Sequence, residues 1–385
     1  MTKKLEHVQA WLQLTAIRGL GPARVRHLVQ TFRSPHAVLT ASVEDLITHG
    51  GLPAPLAHEV TVPLGSETMK RIDRDLQAVA RGQYTILTLD DPSYPSRLKT
   101  IPDPPPILYM TGQLPDTDMT AIAIVGSRRA TSTGRTFIRH LGGELAALGF
   151  TIVSGMARGI DAAAHDGALS ASGRTIAVLG CGIDQTYPPE HRRLREAIER
   201  QGAVLSEFLS GTPPHGYHFP QRNRVISGLS LGVIVAEATI RSGSLITAHH
   251  ACEQNREVFA VPGSPTHALS RGPHHLIKQG AKLVETVDDV LEEIFPHLPA
   301  SMQERIATSR DPQQAALPVL EKEEAEVLER IPLEPVTLEA VLSQGSRPLA
   351  ELMGILLSLE VKGLIAHVPG PRYYRTTLRH GLHTP

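Results

Sequence analysis

Three segments of the chain carry residues whose types and spacing could hold an anion. The first is Val125-Gly-Ser-Arg-Arg-Ala-Thr-Ser-Thr-Gly-Arg, which closes an apolar run. Gly126 would let a ligand approach the backbone. The helix that follows would offer N–H groups, Ser127, Thr131 and Ser132 add hydroxyls, and Arg128, Arg129 and Arg135 add charge. Together these suit a phosphate. The competing reading is that the hydroxyls only cap the helix. The second segment, Ser154-Gly-Met-Ala-Arg-Gly-Ile-Asp-Ala-Ala-Ala-His, repeats the device with Gly155, Arg158 and Gly159. Asp161 and His165 stand four apart and can meet on one helix face. With no third ligand nearby they read as a hydrogen-bonded pair, or Asp161 as a helix-start carboxylate. The third segment runs from Gly216 to Ser230 and interleaves Tyr217 and Phe219 with Arg222 and Arg224. Bases stack on aromatic rings while phosphates meet guanidinium groups, the chemistry of a single-strand nucleic-acid site. The alternative buries those arginines against Glu207 or Glu237. These two carboxylates and Asp161 are expected to hold Arg222, Arg224 or Arg158 in place, because a buried charge needs a partner.

Other chemistries find little support. No Gly-x-x-x-x-Gly-Lys-Ser/Thr run exists, and Gly180-Cys-Gly-Ile-Asp-Gln lacks the third glycine of a dinucleotide fingerprint. His249-His-Ala-Cys252 falls inside an Ala-rich helical stretch with an isolated cysteine, so no zinc site is expected. The reading is therefore no metal, no cofactor and no catalysis. The 38 basic residues nearly balance the 39 acidic ones. Any nucleic-acid site must then be a local patch, not a global field. Two cysteines, Cys181 and Cys252, exclude a disulfide framework and fit a reducing cytosol. The residues after Met1 lack the apolar stretch of a signal peptide, and no apolar run approaches membrane-spanning length. A cytoplasmic location is expected.

The elements that must position these residues follow from periodicity. The 385 residues suggest two to three domains. Residues 1–65 read as a small helical domain, with helices Val8–Ala16, Pro22–Phe32, Ser34–Leu39 and Ser42–Ile47. Ile17-Arg-Gly-Leu-Gly-Pro-Ala-Arg-Val resembles a helix-hairpin-helix turn, in which Pro22 suits the first helical position. Residues 66–296 read as the core. A helix at 66–81 and a strand at 84–89 lead to Asp103-Pro-Pro-Pro-Ile-Leu-Tyr, which reads as surface chain or an edge strand. Buried strands at 121–126, 151–155, 174–179, 203–206, 232–236 and 257–261 then alternate with helices at 132–148, 159–171, 189–200, 244–255 and 273–279. That is the pattern of a doubly wound, Rossmann-like parallel sheet in the α/β class. Residues 297–320 read as a linker. In 321–385, three helices and a hairpin with Pro369-Gly-Pro at its turn read as a winged helix.

In order, these motifs resemble the DNA-processing protein A family (DprA, also called Smf). The resemblance rests on Ile124-Val-Gly-Ser-Arg-Arg-Ala-Thr, the segment from Ser154 to His165, Gly180-Cys-Gly-Ile-Asp-Gln-Thr-Tyr-Pro-Pro-Glu, Leu205-Ser-Glu-Phe and Phe219-Pro-Gln-Arg-Asn-Arg-Val-Ile-Ser-Gly-Leu-Ser. Glu237, Ser242-Gly-Ser-Leu-Ile-Thr-Ala and Phe259-Ala-Val-Pro-Gly continue it. The chain departs from the family pattern at Thr133, at His191, and at Gly216, where many members carry lysine. The resemblance implies an extended Rossmann core between a sterile-alpha-motif or helix-hairpin-helix domain and a winged helix. It implies a homodimer that binds and protects incoming single-stranded DNA and loads RecA onto it in natural transformation and recombination. The strand would meet Gly126, Ser127, Arg128, Arg129, Thr131, Arg158, Phe219, Arg222, Asn223, Arg224 and Lys278, with Glu207, Glu237 and Asp161 in support. The alternative is a nucleotide-processing enzyme related to the LOG phosphoribohydrolases. Their Pro-Gly-Gly-x-Gly-Thr-x-x-Glu loop is not matched by Pro262-Gly-Ser-Pro-Thr-His-Ala.

Overall fold

The computed structural model describes residues 3–115, 120–309, 322–333, 335–343, 348–361, 364–368 and 372–375. It divides into two compact units, residues 1–302 and 303–385.

The first unit is built on nine strands: β1 Thr85–Thr88, β2 Ile107–Gly112, β3 Ala121–Val125, β4 Thr151–Ser154, β5 Thr175–Val178, β6 Ala203–Ser206, β7 Gly232–Val235, β8 Glu257–Ala260 and β9 Lys282–Leu283. Their order in the sheet is β1-β2-β6-β5-β4-β3-β7-β8-β9. From β6 to β9 all pairs are parallel, while β2 runs antiparallel to both β1 and β6. Strands β3 to β7 are buried at every position. Their Ala, Ile and Val side chains therefore meet helices on both faces, as a parallel sheet requires. After β3 the chain winds outward through β4, β5 and β6. It then returns to start β7 on the other side of β3. That reversal opens a crevice beyond the carboxyl ends of β3 and β7, where ligands bind in such sheets.

The proline cluster corrects one expectation. Pro104, Pro105 and Pro106 are buried, and Ile107–Gly112 is an interior strand, not an edge. The prolines precede the ladder, so none removes a donor from it. The Pro105 carbonyl accepts from the Tyr94 hydroxyl at 2.8 Å, and that of Pro106 from the Leu89 amide at 3.0 Å.

Helices Lys3–Ala16, Pro22–Phe32, Pro35–Thr40, Val43–Thr48, Ala54–Thr61 and Ser66–Ala80 precede the sheet. Trp11, Leu12, Leu14 and Leu28 share one continuous apolar core with Leu108 of β2 and Val204 of β6. Buried Asp75 stands between the two parts and accepts hydrogen bonds from Tyr84, Tyr109 and Ser210. Beyond the sheet, Ala300–Ser309 is helical although it falls in the expected linker; 310–321 lie outside the described residues.

The second unit is a winged helix. Its helices Lys322–Glu329, Leu338–Ser343 and Leu349–Val361 enclose Val327, Val341, Leu352, Leu356 and Leu359. Strands β10 Val336–Thr337, β11 Ile365–Val368 and β12 Arg372–Arg375 form an antiparallel sheet in the order β10-β12-β11. The expected Pro369-Gly-Pro turn lies outside the described residues.

Candidate nucleic-acid interface

A cleft of about 250 Å³ fills the crevice at the carboxyl ends of β3 and β7. The loop after β3 contributes Gly126, Ser127 and Arg128, and Asp161 begins the helix after β4. The far wall is the helix His218–Leu229, which no sequence period revealed. Pro220 is tolerated there because the amides of a first helical turn need no intrahelical acceptor. Phe219, Arg222, Asn223 and Ile226 all line the cleft, at the i, i+3, i+4, i+7 spacing of one helix face. A larger neighbouring cavity of about 490 Å³ has Phe137, Val261, Pro262 and Leu269 in its wall and no arginine, so it lacks the charge an anion needs.

Arg222 is 4% exposed. Its Nη1 donates to the Gly155 carbonyl at 3.0 Å and to the Val178 carbonyl, and its Nε to Asn223 Oδ1 at 3.2 Å. Asn223 in turn donates to the Gly243 carbonyl at 3.1 Å, tying the cleft wall to the next helix. Burial pulls the Arg222 pKa down to about 10, and nearby Arg128 pulls in the same direction against Asp161. Arg128 is exposed and stands 4.8 Å from the centroid of the Phe219 ring, with Arg222 at 5.9 Å. A cation over an aromatic face is attracted to it. Two guanidinium groups thus share one ring, and among the described residues neither has an ion-pair partner. Arg129 beside them is exposed.

Several expected contacts have other duties. Gly126 is small because a Cβ there would stand 2.6 Å from Ile160, so it serves helix packing. The helix start after β3 does not offer the expected set of free donors. Thr131 accepts from the Gly134 amide at 2.9 Å, and Glu237 accepts from the Thr131 amide at 2.7 Å and hydroxyl at 2.5 Å. Thr131 therefore caps, and Glu237 holds that cap instead of an arginine. Ser127 gives its amide to the Glu237 carbonyl and accepts from the Arg129 amide at 3.1 Å. Arg158 is exposed and pairs at 2.5 Å with Glu190, not with Glu207 or Glu237.

Arg224 is turned away from the cleft. It is 3% exposed and pairs with Glu207 at 2.5 Å and Asp103 at 3.0 Å. Two residues along a helix rotate a side chain by about 200°, so Arg222 and Arg224 cannot share a face. Lys278 is exposed at the end of Arg271–Lys278 and does not line the cleft. Asp161 is the helix-start carboxylate, accepting from the Gly155 and Ala157 amides at 3.2 and 3.3 Å. Burial raises its pKa, while Arg222 and these amides oppose the shift. His165 does not pair with it. Its Nδ1 meets the Thr175 hydroxyl at 2.6 Å, and burial drops its pKa to about 3.

Four polar cleft residues were not among the expected contacts: Thr239, and Ser242, Ser244 and Thr247 of the Ser242-Gly-Ser-Leu-Ile-Thr-Ala motif. The available signal was Ser242-Gly-Ser after a buried strand, the same strand-to-helix device as the first two segments. Gly228-Leu-Ser-Leu-Gly232 fits the spacing of a hydrolase nucleophile elbow but runs from helix into strand. Ser230 is buried and donates to the Ile226 carbonyl at 3.0 Å. Among the described residues no cluster of three metal-ligating side chains occurs, and no helix is long and apolar enough to cross a membrane.

Residues 85–295 match the family described as DNA recombination-mediator protein A, and residues 311–371 match the DprA winged helix domain. Protein Smf of Synechocystis sp. is 33% identical over 401 aligned positions, covering 95% of this chain and 98% of that protein. The X-ray structure of DNA processing protein A from Streptococcus pneumoniae is similar at a TM-score of 0.64 and 36% identity, covering 76% of this chain and 98% of that one. DNA processing protein A from Helicobacter pylori, whose structure gives insights into its unique single-stranded DNA binding mode, is similar at a TM-score of 0.50 and 29% identity. That match covers 56% of this chain and 98% of the other.

Proposed function

The chain belongs to the DNA recombination-mediator protein A (DprA/Smf) family of DNA-processing proteins, and from that premise we propose that it binds single-stranded DNA in the cleft between β3 and β7. On this reading it protects the incoming strand and loads RecA onto it in natural transformation and recombination. It does so in the cytoplasm, as a homodimer and without catalysis.

One observation carries the binding reading. Arg128 and Arg222 meet at a single partly exposed ring, Phe219, with no carboxylate paired to either among the described residues. The two guanidinium groups repel each other, Asp161 in the same cleft offsets this only through space and bonds to neither, and a phosphate between them relieves the repulsion while forming charge-assisted hydrogen bonds. Ser127 and Asn223 line the same space and extend the contact, and exposed Arg129, next in the chain to Arg128, adds positive charge outside the cleft lining. Phe219 offers a base a stacking surface, and nothing in this arrangement reads a base edge, so binding is indifferent to sequence. Arg224, Glu207, Glu237 and Asp161 act as supports. The nucleotide-processing alternative is not favoured, because the Pro262 loop lacks the glycine run and glutamate of those enzymes.

The test is a salt series on single-stranded and duplex DNA with Arg128→Ala. Each lost phosphate contact flattens the single-strand salt slope by about 0.7. The variant is expected to keep its fold, since Arg128 is exposed, and to lose affinity alike for all sequences. An unchanged slope in the folded variant overturns the assignment. RecA loading is tested separately, by whether the protein shortens the lag in RecA-dependent ATP hydrolysis on single strands precoated with a single-strand binding protein.

A further inference from the structure

We propose that Tyr217, backed by His215, is a second base-stacking platform, outside the cleft at the start of its far wall and apart from Phe219, so that the strand is held at two points and not one alone. The inference rests on the single-strand reading above and adds to it a residue that neither the arginines nor the cleft require.

Local structure does not account for Tyr217. It occupies the N-cap position of the His218–Leu229 helix and makes no side-chain capping bond. That position favours Ser, Thr, Asp or Asn, whose short side chains reach the free amides. Nor is it a core residue, because Tyr217 is 69% exposed. A large ring left in water forgoes the burial that normally offsets its ordering. Among the described residues its hydroxyl has no hydrogen-bond partner.

The ring is nevertheless held in place. It stacks on His215 with centroids 5.5 Å apart and planes within 12°, and His218 meets its edge at 4.4 Å and 70°. These are the parallel and edge-on arrangements that aromatic pairs prefer. His218 itself is buried and lies 4.3 Å from Phe208. Phe219, two residues on, is fixed in turn against Tyr187 at 5.7 Å and beneath Arg128. Tyr217 thus stands on a preorganised floor of rings, one residue before the buried start of the cleft wall. Gly216 leaves the space beside it open, since a Cβ there would meet nothing within 4 Å. An aromatic face that is exposed and already ordered suits a nucleobase, because every base presents a π-face and stacking needs no sequence code.

Abasic DNA separates stacking from phosphate contact. Affinities are measured for oligo-dT and for an abasic oligonucleotide of equal length, with wild type, Tyr217→Ala, Tyr217→Trp and His215→Ala. A lost base–aromatic stack weakens binding by roughly five- to a hundredfold. Tyr217→Ala is expected to lose that much on oligo-dT and nothing on the abasic strand, with the salt slope unchanged. Tyr217→Trp keeps wild-type affinity, and His215→Ala loses part of it. An equal loss on both strands, or none on oligo-dT, overturns the platform. If wild type fails to bind either strand in a salt-dependent way, the single-strand reading itself fails. Thermal melting checks that Tyr217→Ala remains folded, as its exposure requires.

Discussion

Replacing Gly155 by alanine probes how the cleft's buried charge is seated. A Cβ at residue 155 would lie 2.4 Å from Nη1, 2.5 Å from Nη2 and 2.6 Å from Cζ of Arg222. Non-bonded heavy atoms settle about 3.5–4.0 Å apart, so the guanidinium must withdraw by about 1 Å. It cannot do so and keep both of its bonds to the Gly155 and Val178 carbonyls. A hydrogen bond to a charged group is worth about 1.5–3 kcal/mol, so losing one or both costs roughly 1.5–6 kcal/mol. The buried charge gains no water in exchange. Urea denaturation of the full chain, followed through the single tryptophan, Trp11, reports this loss, since Trp11 belongs to the same apolar core as the sheet. Affinity for single strands and its salt slope should fall together, because Arg222 then no longer lines the cleft as it does now. The decisive comparison adds Arg222→Met. Without the guanidinium, Gly155→Ala should cost less than about 1 kcal/mol, a coupling expected only of residues in direct contact. Equal costs in the two backgrounds would refute the view that Gly155 is small to admit Arg222.

Two further outcomes follow from groups outside the cleft. Arg224→Met removes one partner of a buried ion pair with Glu207 and should cost about 3–5 kcal/mol in urea denaturation. It should leave the salt slope of DNA binding unchanged, because Arg224 lies on the opposite helix face. His165 governs acid stability, because burial holds its folded pKa near 3, against about 6.5 when unfolded. The unfolded chain then takes up a proton that the folded one refuses. Stability from this group is complete above about pH 6.5 and declines as pH falls toward 3, by up to about 1.4 kcal/mol per unit. Measured between pH 7 and pH 5, the loss in His165→Gln should be smaller than in wild type by about 2 kcal/mol.

The parallel sheet was legible in the residues alone. Ala121-Ile-Ala-Ile-Val and Gly232-Val-Ile-Val are short, wholly apolar and rich in β-branched residues, which suits a strand covered on both faces. The arginine- and hydroxyl-rich strand ends were legible too, because the segments that follow a strand in this fold must lie at its ligand face. So was the change from successive helices to alternating strands and helices after residue 120, since a shift in hydrophobic period is local. The winged helix and the N-terminal helices could be read in this way.

What each polar residue does there was settled only by long-range contacts. Thr131 and Glu237 are 106 positions apart, and nothing in either neighbourhood says that one carboxylate closes the other's helix start. The His218–Leu229 helix escaped the periodic reading because its cleft-facing side carries Arg222 and Asn223, while its other side is buried as well. A helix enclosed all round by a mixture of charge and apolar groups shows no amphipathic stripe. Once that helix is known, geometry separates two arginines that look alike in sequence. Arg222 faces Phe219 and the cleft, and Arg224 faces Glu207 and Asp103. The types and order of residues determine that charge, hydroxyls and aromatic rings gather at the strand ends. Only the packed structure decides which of those charges is already neutralised by a buried partner and which is left for a ligand.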